Sequence, residues 1–335
     1  MENLCCKVTI ACDGERLSLL QKEFPHIDFL LLEGYHITYT NNKRLLPLKI
    51  LRQSPKILQK IRKENRWLQQ TIIERKIDAV ISDNRFGLYT KQVPCIFITH
   101  QLQIKAPFNW LEKLIRQINY RYINRYTECW VPDLEGNINI AGSLSHPGKL
   151  PDVPVKYLGP LSRIKTTGNR VKKYDWLMLL SGPEPQRSLL EEKIRAAIPY
   201  LKGNVLFARG KPGLNEEEQV GTAVKIVSHL AGNELQKAFE ESEYVLSRSG
   251  YTTVMELLQM KKKALLIPTP GQTEQEYLAK HLLQQKWSYT CTQENDLPEE
   301  MAKATIFPYN LPDLPGDQLH QVMQAFISKY LPGNS

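Results

Sequence analysis

The chain has 335 residues, 42% of them hydrophobic and 24% charged, with a net charge of +9: the balance of a soluble globular protein with material for two domain cores. No run approaches the ~20 apolar residues that span a bilayer, and the opening MENLCCKVTIAC lacks a charged leader followed by a long apolar core, so the cytoplasm is the expected compartment. Six cysteines, at 5, 6, 12, 95, 129 and 291, form neither CxxC pairs nor a regular framework, which points to reduced core thiols rather than metal ligands or disulfides.

In chain order, residues 7–11 and 28–32 read as strands, 48–75 as largely helix, and 78–82 and 95–99 as buried-type strands. Residues 110–125 read as helix, then 128–131 and 155–158 as short strands. This half is the basic one: residues 1–160 hold 23 Lys and Arg against 15 Asp and Glu, and the remainder 21 against 20. The excess falls between Lys43 and Arg66, among leucines and isoleucines, and between Lys105 and Tyr126, among Phe108, Trp110, Tyr120, Tyr122 and Tyr126. Apolar faces edged with Lys and Arg suit an anionic membrane surface; the alternative is a solvated helix face over an ordinary core. No nucleic-acid motif accompanies the charge, so nucleic acid is not an expected partner. At the carboxyl ends of two strands stand Asp83-Asn84-Arg85 and Thr99-His100-Gln101. Asp83 is a candidate base, Arg85 a candidate anion holder and His100 either; each equally suits a cap or a charge neutraliser.

Residues 159–170 are polar and aperiodic and read as a linker. Beyond it the pattern alternates: strand 176–180, helix 187–198, strands 204–208 and 223–227, helix 233–241. Such alternation predicts a parallel sheet with helices on both faces. Ser181 and Gly182 end the first of these strands and Arg209-Gly210 the next, so Ser181, Gly182 and Arg209 point toward one crevice. Arg209 and Arg248 are each either phosphate neutralisers or structural ion-pair partners. A tail rich in Pro, Gly and Asn precedes an apolar helix at 319–330 that packs on one half or the other.

The densest signal is VLSRSGYTTVMELLQMKKKALLIPTPGQTEQEY, residues 245–277. Strand 244–247 ends in Ser247-Arg248-Ser249-Gly250, and Val254, Leu257 and Leu258 then fall at helical spacing, so the chain turns sharply at Gly250. Without a Cβ there, a phosphate can approach the backbone and meet the free N–H groups of residues 251–253 and the positive end of the helix dipole. Thr252 and Thr253 add hydroxyls, and Glu256, on their face of the helix, suits a ribose diol. The strand at 264–268 opens into a polar loop, residues 269–276, at a neighbouring strand end, and paired strand ends are where open parallel sheets bind ligands.

Ser247-Arg248-Ser249-Gly250, Thr253-Val254, Glu256, Pro268 and Gln275-Glu276 resemble the C-terminal donor domain of glycosyltransferase family 28, over roughly residues 170–290. Asp83-Asn84-Arg85-Phe86-Gly87 is similar to a segment of related bacterial transferases. The resemblance implies an α/β GT-B fold of two doubly wound Rossmann-like domains facing a central cleft. Its domain limits would be 1–160 on the acceptor side, a linker at 161–172, a donor domain at 173–310 and a tail at 311–335. It implies that Ser249, Gly250, Tyr251, Thr252 and Thr253 hold the donor diphosphate, Glu256 the ribose, and Gln272, Gln275 and Glu276 the sugar. Ser228, His229 and Leu230 would meet the base, with Asn84 and Arg85 on the acceptor side. The implied partners are a nucleotide-sugar donor, which is substrate rather than cofactor, and a glycan or lipid-linked acceptor, with no catalytic metal.

Family members open with a strand, a Gly-rich loop ending in a His, and a helix, and the His is their expected base. Residues 7–11 followed by Asp13-Gly14 look instead like the family's second strand, so the first domain is expected to lack its first strand. Asp83 and His100 are then the stand-in catalytic candidates. The expected function is transfer of a sugar from a nucleotide diphosphate, with inversion, by a cytoplasmic protein peripheral to the inner membrane face. A nucleotide-sugar hydrolase or epimerase, and a non-catalytic nucleotide-sugar-binding protein, are the alternatives; no GxGxxG follows a strand, which disfavours a dehydrogenase.

Overall fold

The computed structural model describes residues 4, 6–34, 46–106, 108–162, 171–230, 232–315 and 318–331. Lys43, Arg44 and most of the expected linker lie outside them.

The N-terminal half runs β1 (Thr9–Cys12), α1 (Gly14–Glu23), β2 (Asp28–Leu31), α2 (Leu46–Arg75), β3 (Val80–Asp83), β4 (Cys95–Ile98), α3 (Asn109–Ile123), β5 (Glu128–Val131) and β6 (Val155–Tyr157). Strands β3 to β6 form a parallel sheet in sequence order, whereas β1 and β2 pair only with each other. No ladder joins the two sheets among the described residues; Ala11 and Leu32 reach the larger one through its core, which includes Phe97, Ile123 and Val131. α2 passes through Pro55 without ending.

The C-terminal half runs β7 (Tyr174–Leu179), α4 (Gln186–Ala197), β8 (Val205–Ala208), β9 (Glu217–Val220), β10 (Val224–Val227), α5 (Gly232–Glu241), β11 (Ser242–Ser247), α6 (Tyr251–Gln259), β12 (Lys263–Leu266), α7 (Thr273–Gln284), β13 (Tyr289–Thr290), α8 (Leu297–Ile306) and α9 (Leu319–Tyr330). Its seven strands lie in the order β13-β12-β11-β7-β8-β10-β9, all parallel except β9. The VLFA of β8 is buried at every position, as a strand covered on both faces must be. Separate apolar cores fill the two faces, one around Phe239, Leu257 and Leu278, the other around Phe207, Leu190 and Met301. β9, EEQV, was not expected: its exposed acids close the sheet edge against further pairing.

Two features bring the halves together. α9 packs back on the N-terminal half, where Phe326 meets Trp130 edge-on with ring centroids 5.5 Å apart. Ile140, Ala141 and Leu144, from the segment after β5, join the α6–α7 core of the C-terminal half. The carboxyl ends of both parallel sheets therefore border one cleft.

Candidate functional site

At the end of β11 the turn is built by side chains that hold the backbone. Ser247, Arg248 and Ser249 are buried, and Ser249 Oγ donates to the Gln275 carbonyl at 2.9 Å. Arg248 is 1% exposed, and its guanidinium donates to the carbonyls of Gln186, Ile267 and Pro268 and to Gln293 Oε1. It thus ties the loops after β7 and β12 to the turn. Among the described residues it meets no carboxylate; burial pushes its pKa down to about 10, so the cation persists at neutral pH beneath the turn.

Gly250 precedes the first turn of α6, whose N-terminus has no capping side chain and no acid. Its φ of −71° and ψ of 140° are open to any residue, so the turn does not use glycine's backbone freedom. What glycine supplies is space: a Cβ there would meet nothing within 4 Å. Thr252 is exposed and Thr253 half-buried at this open end, whereas Tyr251 is buried and Glu256 is only 5% exposed, inside α6. The helix thus offers N–H groups and hydroxyls to an anion, with a buried cation behind them.

The polar loop is shorter than expected because Thr273 to Glu276 already form the first turn of α7, where Glu274 and Glu276 suit the helix dipole. Gln272 stands before that turn. Gln275 Oε1 accepts from the Thr269 amide at 2.9 Å and Glu276 Oε1 from the Gly271 amide at 3.0 Å, so both side chains shape the loop. Ser181 and Gly182 are exposed beyond β7, with Gly182 at a φ of 104°. Arg209 is held by Glu191 at 2.5 Å and Glu216 at 3.0 Å. Ser228 is buried and bonded to the backbone of Glu216, leaving His229 exposed beside it and Leu230 half-buried.

Across the cleft, Asp83 and Asn84 are exposed at the end of β3, with Asn84 at a φ of 53°. Arg85 turns away from them. It forms a largely buried pair with Glu64 of α2 and donates to the Leu32 and Glu33 carbonyls. His100 lies at the meeting of the halves. Its ring stacks on Tyr251 at a centroid distance of 4.3 Å and an angle of 8°, and Nε2 is 2.8 Å from Glu274 Oε1. Gln101 donates to the other Glu274 oxygen. Nδ1 has no hydrogen-bond partner among the described residues, so that edge of the imidazole is open to a further partner.

Contacts not anticipated from the sequence complete the seam. Tyr251 Oη donates to the Pro132 carbonyl at 2.6 Å, and Tyr277 Oη accepts from the Ser143 amide at 2.8 Å. The loop carrying Ser143 is folded around the fully buried Asp133, whose carboxylate accepts from the amides of Leu134, Ile140 and Ala141 and from Ser145 Oγ. Glu274 was visible only as one polar residue in a polar loop, and Asp133 only as an acid after a strand.

Residues 186–306 match the family model of the glycosyltransferase family 28 C-terminal domain. No curated protein matches the chain by sequence. Among solved structures, the spinosyn rhamnosyltransferase SpnG is 12% identical, over 97% of this chain and 88% of that one, at a TM-score of 0.59. The calicheamicin glycosyltransferase CalG4 is 10% identical over 100% and 89%, at 0.57. MurG of Acinetobacter baumannii is 14% identical over 99% and 92%, at 0.55. At such identities these likenesses show the fold, which is GT-B.

Proposed function

We propose that this chain, a glycosyltransferase of GT-B fold with a family 28 C-terminal domain, moves a sugar from a nucleoside diphosphate, UDP, to a glycan or lipid-linked acceptor. The observation that carries this reading is the open N-terminus of α6, backed by the buried Arg248 cation and faced by His100 from the other half. Negative charge that develops on a leaving diphosphate meets preorganised N–H groups there, which can take the part a metal plays elsewhere. Glu256 reads the ribose, and Gln272, Gln275 and Glu276 border the sugar. Attack from the opposite face inverts the anomeric centre and needs a base on the acceptor side. His100 is that base, oriented by Glu274; Asp83, exposed at its strand end, is the other candidate. The acceptor is delivered to the basic N-terminal half at the inner face of a membrane; among the described residues no helix is long and apolar enough to cross one.

A thermal-shift measurement with UDP tests the donor site. Ligand at a hundredfold excess over Kd stabilises the folded state by about 2.7 kcal/mol. Most of that shift is expected to vanish in Glu256→Ala and in the better-conserved shape Glu256→Gln. An unchanged shift in a folded variant removes Glu256 from the site, and product analysis with a UDP-sugar then separates transfer from hydrolysis.

A further inference from the structure

A cavity of about 300 Å³ lies between α2 and the end of α3, lined by Arg62, Asn65, Arg66, Tyr89, Tyr122 and Arg125 among others. It is not part of the cleft. Arg125 follows α3 and stands just before β5 begins, at the edge of the sheet opposite the carboxyl ends.

Its cations are arranged and unneutralised. Arg125 lies over the rings of Tyr122 and Tyr89, 4.7 and 5.1 Å from their centroids, and Nη1 donates to Tyr89 Oη at 2.9 Å. Asn65 fixes the loop that carries Tyr89 by donating to the Gly87 and Tyr89 carbonyls. Arg62 and Arg66 are exposed one helical turn apart on α2, a spacing at which like charges repel. Among the described residues none of the three arginines forms an ion pair, and the nearby Glu64 is taken by Arg85. Three guanidinium groups around one cavity, one of them pinned by aromatic rings, match the oxygens of a phosphoryl group. Next to them α3 exposes Trp110, Leu114 and Ile118 at successive turns, a ridge that Tyr122 continues to the cavity.

We propose that this cavity binds the phosphate of an anionic phospholipid headgroup while the α3 ridge rests against the same membrane surface. The proposal extends the membrane-facing part of the transferase reading and gives it a site, but its test does not depend on transfer. Sedimentation with vesicles of phosphatidylcholine, with and without phosphatidylglycerol, is the measurement. The protein is expected to bind only the anionic vesicles. Arg62→Gln/Arg66→Gln/Arg125→Gln is expected to weaken binding by about tenfold or more.

A control, Lys156→Gln/Lys202→Gln/Lys237→Gln, removes equal charge from exposed sites elsewhere and is expected to weaken binding by less than about threefold. Tyr122→Leu, which frees Arg125 without altering charge, should also weaken binding. Equal losses in both triple variants would mean diffuse attraction and overturn the proposal, as would wild-type binding by the cavity variant. A thermal shift by millimolar inorganic phosphate that the cavity variant loses, with no sedimentation of the wild-type protein on anionic vesicles, would make it a free-anion site and overturn the lipid assignment. The UDP thermal shift of the cavity variant should match wild type, which separates failure here from failure of the donor site.

Discussion

The imidazole of His100 is held on two sides, by the Tyr251 ring against its face and by Glu274 at Nε2, and Nδ1 is the nitrogen left for the base role we propose. General-base catalysis is worth roughly 10²–10⁴ in rate, so His100→Asn should lower kcat by about that factor while leaving the UDP thermal shift unchanged. Glu274→Gln keeps the hydrogen-bonding shape and should cost less; full activity in His100→Asn removes it from the reaction. His100 was legible because it follows a buried-type strand. Its partner was not, since the two are 174 positions apart in the chain and only folding joins them. Arg85 shows the converse. Its strand-end position suggested an acceptor contact, but Glu64 on α2 captures its guanidinium, and no local pattern reveals which cations are already paired.

At the scale of elements, Glu191 on α4 gathers Arg187, Arg209 and Lys211, fastening the helix to the loop after β8. Burial alone would raise its pKa, but the hydrogen bonds from those three cations outweigh it and bring the carboxyl from 4.5 to about 2. The group is ionised in both states above pH 4.5, where its stabilisation is complete; as pH falls toward 2 the unfolded chain takes up the proton first and the stabilisation is lost. Urea denaturation should therefore show roughly 3 kcal/mol of stability disappearing across that window through this residue. Glu191→Gln should be less stable at neutral pH and flatter across the window, and an unaltered slope would show that other carboxylates govern it. The strands and helices that these residues join were legible from apolar period and Gly turns. α1, β9 and α8 were not: α1 and β9 are short and polar or acid-rich, and β9 exists only because β10 offers it an edge, whereas α8 does place Leu297, Met301 and Ala304 at helical spacing behind the Asp296 cap, a signal that was overlooked.

At the scale of the molecule, the two halves meet through a shared core and a hydrogen-bonded seam. Tyr251 is both the first residue of α6 and the donor to Pro132 across the seam, so one side chain links the turn at Gly250 to the packing of the halves. Tyr251→Phe leaves the Pro132 carbonyl unpaired and should cost about 1–3 kcal/mol, with the stacking on His100 retained. Denaturant unfolding followed by Trp fluorescence should remain a single transition in the wild-type chain, because Ile140, Ala141 and Leu144 belong to the core of the other half. Two well-separated transitions would show that the halves unfold independently.

The sequence by itself determined the α/β alternation, the parallel C-terminal sheet and the turn at Ser247 to Gly250 with its helix, because apolar period and glycine placement act over a few neighbouring residues. It also carried the family 28 resemblance in the C-terminal half, where residues 186–306 match that domain. Only the tertiary structure showed that Gly250 has a backbone angle open to any residue, and that Arg209 and Arg85 are held in ion pairs while Arg248 is buried with none among the described residues. It also set His100 against Glu274 and packed α9 on the N-terminal half. Charge neutralisation and burial are set by which distant segments meet, and that is a property of the packed chain rather than of any stretch of it.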